Sequence, residues 1–201
     1  MKLDLRGASI SVANVRGPSS TNGVHGTHKP PCNVLSGLNR LFRNNSEKVR
    51  SGKMNISFLE TYVFELLKHC GWYDGRKFDI SFWINELTKE GYECFKYAED
   101  ILQELGDIKV NVGNNKGYKG AMFDFNPYNA ASGEYDRIEA FQVAAGDKLF
   151  PIGSMCDAIV YVGQKKNIYF GDWSTFFWHG KNLEDYLNRL FREDSKPIKL
   201  I

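Results

Sequence analysis

The sequence has no long hydrophobic run. None of its apolar stretches approaches the roughly 20 residues that a helix needs to cross a bilayer. The first residues, MKLDLRGASISVANVRG, also lack the apolar core of a secretory signal peptide. We therefore expect a cytoplasmic protein that does not associate with membranes.

Sequence signatures of catalysis are also missing. The chain contains no nucleophile elbow, P-loop, H-E-x-x-H motif or dinucleotide-binding fingerprint. His69 and Cys70 are adjacent, and because neighbours on a helix point in different directions, they do not form a base–nucleophile pair. His179 stands alone near the end of a predicted strand. We expect neither enzymatic activity nor a cofactor.

The four cysteines are far apart, and no C-x-x-C motif occurs. The segment HGTHKPPC brings His25, His28 and Cys32 within eight residues, but a closed zinc site takes four ligands and no fourth Cys or His lies nearby. No metal site is therefore predicted. The thiols are expected to be reduced and mostly buried; they are Cys32, Cys70, Cys94 and Cys156.

Aromatic residues are nearly absent from the first 53 residues, where Phe42 is the only one, although they make up 14% of the whole chain. Residues 1–53 contain nine Lys/Arg and two acidic residues, a net charge of +7, whereas residues 54–201 contain 17 basic and 22 acidic residues, a net charge of −5. The first composition buries too little apolar surface to offset the entropy lost on ordering. We predict a basic, disordered extension over 1–53 and a single folded domain over 54–201.

An alternative concerns the start of the native product. Codons for Arg50 and Ser51 can be purine-rich, and Met54 follows them closely, as a start codon follows a bacterial ribosome-binding site. On this hypothesis the native product begins at Met54 and does not include residues 1–53. Peptides from residues 1–50 in mass spectra of the native protein would exclude it.

The region from Met54 onward carries clear helix and strand patterns. Three helices are predicted first, each followed by a glycine: from Ser57 to Cys70, from Asp79 to Gly91, and over about 93–105. Alternating apolar residues then predict two strands, in DIKVNVG and in AMFDFNP, where Pro127 ends the second. A helix over 134–144, strands in DAIVYVG, NIYFG and STFFWHG, and a last helix in NLEDYLNRLF follow. This order predicts an α+β fold with an antiparallel or mixed sheet packed with helices.

The composition of the domain argues against binding of nucleic acid. A DNA-reading unit presents a basic recognition helix, whereas the second predicted helix, DISFWINELTKEG, is apolar and mildly acidic. The net charge of −5 over residues 54–201 would also repel phosphate. We expect no direct contact between the domain and nucleic acid.

The segment GWYDGRKFDI predicts a tight corner between the first two helices. Together with AEDILQELGDIKV and the later LFPIG, its order and spacing resemble the SUKH superfamily, and within it the third subfamily. The resemblance covers residues 56–192, although residues 114–137 match no part of the pattern. The matching positions, interpreted as structural, are Gly71, Trp72, Gly75, Arg76, Asp79, Leu102, Gly106, Pro151, Ile152 and Gly153.

Two positions depart from the pattern of that subfamily. Tyr73 and Asp74 occupy a turn that often carries proline, and Asp107 stands where a second glycine is frequent. The rest of the resemblance implies a SUKH-like fold and an immunity protein of bacterial polymorphic toxin systems. Such a protein is a cytoplasmic antidote that binds a cognate toxin domain, commonly a nuclease, and blocks it.

The acidic domain agrees with a basic, nucleic-acid-cleaving toxin as its partner, because opposite charges steer association. The alternative is a non-catalytic protein-interaction or regulatory module of the same fold without a toxin partner. Gene neighbourhood separates the two, since an immunity gene is expected directly downstream of a toxin gene.

The binding surface is the least determined part of this interpretation. Acidic or aromatic side chains that the pattern leaves exposed are the candidates for partner binding, and ordinary solvated loop residues are the alternative interpretation of each. The candidates are Asp124, Glu134, Asp136, Asp172 and Trp173.

Overall fold

The computed structural model describes residues 59–113, 121–191 and 196–201, all of which lie in one compact unit. The helices in these ranges are α1 (Thr61–His69), α2 (Ser81–Glu90), α3 (Lys96–Leu105), α4 (Pro127–Ala131), α5 (Ile138–Ala145) and α6 (Leu183–Phe191). The strands are β1 (Lys109–Gly113), β2 (Ala121–Asp124), β3 (Leu149–Met155), β4 (Ala158–Gly163), β5 (Ile168–Gly171), β6 (Phe176–Gly180) and β7 (Ile198–Lys199). The α+β class that the sequence predicts is confirmed.

The seven described strands form one sheet in the order of the chain, β1 to β7. Every neighbouring pair is antiparallel. Short turns join β3 to β4, β4 to β5 and β5 to β6, whereas α4 and α5 lie between β2 and β3, and α6 lies between β6 and β7. The long strands β3 and β4 lie in the middle of the sheet, and nearly all of their residues are buried. Their apolar side chains therefore form the centre of the core.

Helices cover both faces of this sheet. Phe176 lies beside Tyr169, and His179 lies beside Phe170, the next residue of β5, so the two β6 side chains point to opposite faces. Helix α5 packs on the first face and α6 on the second. The ring contacts are Phe141 of α5 on Phe176 at 4.5 Å and Tyr186 of α6 on His179 at 5.1 Å.

The glycine that follows each of the first three helices acts in two different ways. Gly71 and Gly91 have φ of 104° and 113°, a left-handed conformation that favours glycine at a helix end. Gly106 has a φ of −47°, so its backbone does not require glycine. The close packing around Gly106 does require glycine, because a Cβ there would lie 2.8 Å from the Trp83 ring and 2.9 Å from Phe78.

Strand β3 begins inside LFPIG, where no strand was predicted. A proline in a central strand removes a ladder hydrogen bond, so its presence argues against a strand. The structure accommodates Pro151 through a β-bulge: Pro151 pairs with Tyr161 and Gly153 with Val160, which leaves Ile152 as the extra residue. The proline thus occupies an irregularity of the ladder.

Three other predictions about local structure need correction, and one strand was missed. Helix α1 begins at Thr61, whereas the predicted start at Ser57 lies outside the described residues. Strand β2 ends at Asp124, before Pro127, and Pro127 starts α4, with Asn126 as the cap whose side chain accepts from the Asn129 amide. The helix expected over 134–144 is a 3₁₀ turn (Tyr135–Arg137) followed by α5. The short edge strand β7 was not predicted.

None of the helices in the described ranges has the length and apolar character that crossing a lipid bilayer requires.

Candidate functional site

The corner between α1 and α2 is held by buried and main-chain contacts. Trp72 is buried, and its ring meets that of Phe64 edge-on at 5.4 Å. Arg76 extends to the end of α3, where its guanidinium donates to the carbonyls of Glu104 at 2.9 Å and Gly106 at 2.6 Å. These are carbonyls that a helix end leaves without an intrahelical partner. The corner therefore fixes three helices relative to one another.

The Asp79 side chain also accepts a hydrogen bond from the nearby main chain. Helix α2 begins at Ser81, and Oδ1 of Asp79 accepts from the Ser81 amide at 3.0 Å. Hydrogen bonding from Ser81 lowers the pKa of the Asp79 carboxyl below its usual value. The carboxylate thus satisfies one of the orphan amides of the first turn, although it lies one residue before the cap position.

Gly153 marks the point where β3 passes closest to β2. Its φ of 154° and its lack of a side chain let the Asp124 carbonyl approach so closely that a Cβ could not be placed between them. Pro151, Ile152 and Gly153 are all buried in the middle of the sheet. This segment is therefore part of the core of the sheet.

Asp107 explains one departure from the subfamily pattern. Its φ is 63°, a conformation that asparagine and aspartate tolerate and that glycine adopts without cost. A second glycine at this position would fit the same backbone. Asp107 therefore occupies a glycine-type position immediately after α3.

Four of the five candidate partner-binding residues meet at one place on the surface. They surround Arg137, the last residue of the 3₁₀ turn, whose side chain reaches the turn that joins β5 to β6. We call this group the Arg137 cluster; its members are Glu134, Asp136, Arg137, Asp172 and Trp173. Arg137 was not a candidate from the sequence, yet it contacts or acts on each of the others.

Arg137 joins a charged contact and an aromatic contact. Its guanidinium is ion-paired with Glu134, and its Nε lies 3.8 Å from Oδ1 of Asp136. The guanidinium carbon lies 4.2 Å from the centre of the Trp173 ring, which is a cation–π distance. The Arg137 side chain is only 18% exposed, whereas Trp173 is 78% exposed. The arginine thus supports a tryptophan that stands in solvent.

Asp172 shapes the turn that presents Trp173. Its Oδ1 accepts from the amides of Ser174 at 3.0 Å and Thr175 at 2.9 Å, and from the Thr175 hydroxyl at 2.8 Å. The Ser174 hydrogen bond is the largest cause that lowers the pKa of the Asp172 carboxyl, and the charge of Arg137 lowers it further. An aspartate that bonds the backbone two and three residues ahead is typical of a fixed tight turn.

Two buried tyrosines lie beneath the Arg137 cluster. Tyr92 donates from its hydroxyl to the Ala131 carbonyl at 3.2 Å. Tyr161 is fully buried, and its hydroxyl has no hydrogen-bond partner among the described residues. Burial raises the pKa of both phenols above the usual range, and the charges of Arg137 and Asp136 act on both. The two phenols therefore lie within electrostatic range of the cluster.

Asp124 lies apart from the other four candidates. It pairs with Lys109 across β1 and β2, with Oδ2 at 2.9 Å from the lysine Nζ. Strands β3 and β4 separate it from β5, which is roughly 14 Å at the usual strand spacing. Its surroundings are those of a cross-strand ion pair.

The family of the chain can now be stated. The SUKH-3 immunity protein family model matches residues 59–193, about two thirds of the chain. The chain belongs to the SUKH-3 immunity protein family. The suspected third subfamily of the SUKH superfamily is thereby confirmed. No curated protein and no solved structure matches this SUKH-3 chain.

The expectation that the thiols are mostly buried is wrong for the described cysteines, because Cys70 and Cys94 are only half-buried and Cys156 is exposed. Two other properties limit reactivity at His179 and Cys94. His179 is fully buried, and burial, with a smaller effect of Arg189, lowers its pKa to about 4. Burial raises the pKa of the Cys94 thiol to about 12, which keeps it from ionising at neutral pH. Within the described ranges, no three His, Cys, Asp or Glu side chains are grouped so as to hold a metal ion. His25, His28 and Cys32 lie outside those ranges.

The role of Arg137 was missed because its contacts come from two distant segments. Glu134 and Arg137 are three residues apart, which is a weak sequence signal for an ion pair on a helical turn. Nothing in the sequence links that turn to Trp173, because the contact depends on how α5 packs on the SUKH-3 sheet. The candidates were chosen by residue type, and the fold brings four of them together.

Proposed function

We propose that this SUKH-3 protein is a cytoplasmic immunity protein that binds and neutralises a cognate bacterial toxin domain, and that the toxin is a nuclease. Membership of an immunity protein family supports the general role. The observation that carries the finer proposal is the acidic character of residues 54–201, with a net charge of −5, together with an exposed tryptophan set among acidic side chains.

Charge complementarity supports a nuclease as the target. An enzyme that cleaves nucleic acid must present a basic surface to the phosphate backbone. An acidic protein is attracted to that surface, associates with it rapidly, and competes with the substrate for it. The same field disfavours contact between the immunity domain and nucleic acid itself.

Neutralisation is proposed to occur by binding and not by chemistry. Enzymatic inactivation of a toxin through His179 or Cys94 would need that side chain to be accessible and reactive. His179 is buried with a lowered pKa, and the pKa of the Cys94 thiol is raised to about 12. Steric occlusion of the active surface of the toxin needs only a stable, complementary interface.

Co-expression tests this proposal. The toxin domain encoded by the adjacent upstream gene is expressed from an inducible promoter in a bacterial host, with and without the full-length chain. We expect growth arrest and nucleic-acid degradation without the chain, and recovery of both with it. If the chain does not restore growth, the immunity role is wrong for this pair, and a regulatory module of the same fold becomes the better description.

A further inference from the structure

Trp173 is the most exposed large aromatic side chain in the described part of the chain, at 78%. Its position is nevertheless fixed twice, by the Asp172 turn on one side and by the Arg137 guanidinium over its ring. Because Arg137 lies over one face of the ring, so high an exposure means that the other face is open to solvent. A rigid indole with one open face is a preformed contact surface.

The charges around the indole select the chemistry of what it contacts. The Arg137 cluster contains three carboxylates and one guanidinium, so it carries a net negative charge. Glu134 is used by the ion pair with Arg137, and Asp172 by its turn. Asp136 is different, because its side chain is 82% exposed and its contact with Arg137 is a long one of 3.8 Å. Its carboxylate is therefore available to a cation from outside.

We infer that the Arg137 cluster is the docking site for the toxin domain, and that an arginine or lysine side chain of that domain packs on the open face of the Trp173 ring while the exposed Asp136 carboxylate adds negative charge to the same surface. This inference rests on the proposed function and names the surface that performs it. The incoming cation repeats on the open face the cation–π contact that Arg137 makes on the other. Tryptophan and arginine are also the residues most enriched among those that dominate binding energy at interfaces.

This docking mode makes Trp173 the anchor and Asp136 the electrostatic guide. Removal of the anchor should act on the dissociation rate, since it removes contact area that forms only in the complex. Removal of the guide should act mainly on the association rate and on its dependence on salt. The two residues are therefore separable by kinetics.

The experiment measures binding of the full-length chain to a catalytically inactivated toxin domain, encoded by the adjacent upstream gene, by surface-based kinetics at two salt concentrations. Trp173→Ala is expected to weaken binding by about 30-fold or more, mainly through faster dissociation. Asp136→Lys is expected to slow association by about tenfold at low salt and by less at high salt.

Matched controls come from the same chain. Tyr73→Ala removes an aromatic side chain that is 61% exposed and lies in the corner between α1 and α2. Asp157→Lys reverses an exposed carboxylate in the turn between β3 and β4. Both are expected to bind as the unsubstituted chain does. Thermal melting of all four variants confirms that each is folded.

The outcomes separate this inference from the proposed function. If the unsubstituted chain binds the toxin domain and Trp173→Ala binds equally well, the docking site is wrong while the immunity role stands. If Tyr73→Ala loses as much affinity as Trp173→Ala, the Arg137 cluster is not the specific site. If the unsubstituted chain does not bind, the proposed function fails and the docking site fails with it.

Discussion

Two regions of this SUKH-3 domain contain the same pair of residue types, a tryptophan and an arginine, and use them in opposite ways. In the corner between α1 and α2, Trp72 is buried, and Arg76 donates to two main-chain carbonyls at the end of α3. In the Arg137 cluster, Trp173 stands in solvent, and its arginine is paired with side chains.

The partners of each arginine determine what a loss of contact would cost. Main-chain carbonyls at a helix end cannot turn to solvent without moving the helix, so the contacts of Arg76 belong to the folded structure itself. Carboxylate side chains at the surface can be solvated, and an exposed ion pair contributes little to stability. The contacts of Arg137 therefore contribute little to stability, which is compatible with the docking role proposed for the cluster.

Substitution of the two tryptophans tests this comparison, and we expect it to give the largest difference in the free energy of unfolding. Trp72→Ala removes a buried indole and is expected to lower the free energy of unfolding by about 3–5 kcal/mol. Trp173→Ala removes an exposed one and should change it by less than about 0.5 kcal/mol. Urea denaturation followed by circular dichroism measures both. Equal losses of stability for the two variants would break the distinction.

The buried face beneath α6 responds to acid in a way that the surface cluster does not. The pKa of His179 is lowered from 6.5 to about 4 in the folded protein, chiefly by burial. Between these values the unfolded chain binds a proton that the folded protein does not. Stability therefore falls as the pH drops from 6.5 towards 4, by at most about 1.4 kcal/mol per pH unit.

A histidine substitution isolates this effect. His179→Gln is expected to flatten the dependence of unfolding free energy on pH between 6.5 and 4, whatever the substitution does to stability at neutral pH. Asp79 and Asp172, whose pKa values are lowered, lose their contributions only nearer and below pH 4. A slope in His179→Gln as steep as that of the unsubstituted protein would assign the acid sensitivity to another group.

The arginines give a smaller and more specific contrast. Arg76→Met keeps much of the side-chain volume but leaves the Glu104 and Gly106 carbonyls without their donor, at a cost of about 2 kcal/mol. Arg137→Met should cost less than about 1 kcal/mol, because its lost ion pair is solvent-accessible at the carboxylates. Thermal unfolding of the two variants in one buffer gives the difference, and a reversed order would overturn it.

Substitution of Asp107 is expected to change the free energy of unfolding least, and to raise it. Because its φ is 63°, Asp107→Gly relieves backbone strain and is expected to stabilise the protein by about 0.5 kcal/mol, after allowance for the more flexible unfolded chain. Asp157, which does not have a positive φ, provides the control, and Asp157→Gly is expected to destabilise. The two midpoints of urea denaturation should move in opposite directions.

The sequence predicted the helices and most strands because periodicity reports which residues are buried together within one element. It failed at β3, because Pro151 argues against a central strand and only the pairing partner β4 shows the bulge that admits it. It found the family corner because a fixed spacing of Gly, Trp, Gly and Arg survives in the chain itself. The position of Arg137 against Trp173 depends on packing between distant segments, which no local pattern contains.

The strand order of the sheet has a consequence for the timing of assembly. Because every described strand pairs with its neighbour in the chain, each strand can join the sheet as it is synthesised, without waiting for a later strand. All five residues of the Arg137 cluster precede α6 in the chain. The segments that form the cluster can therefore come together before α6 and β7 are added.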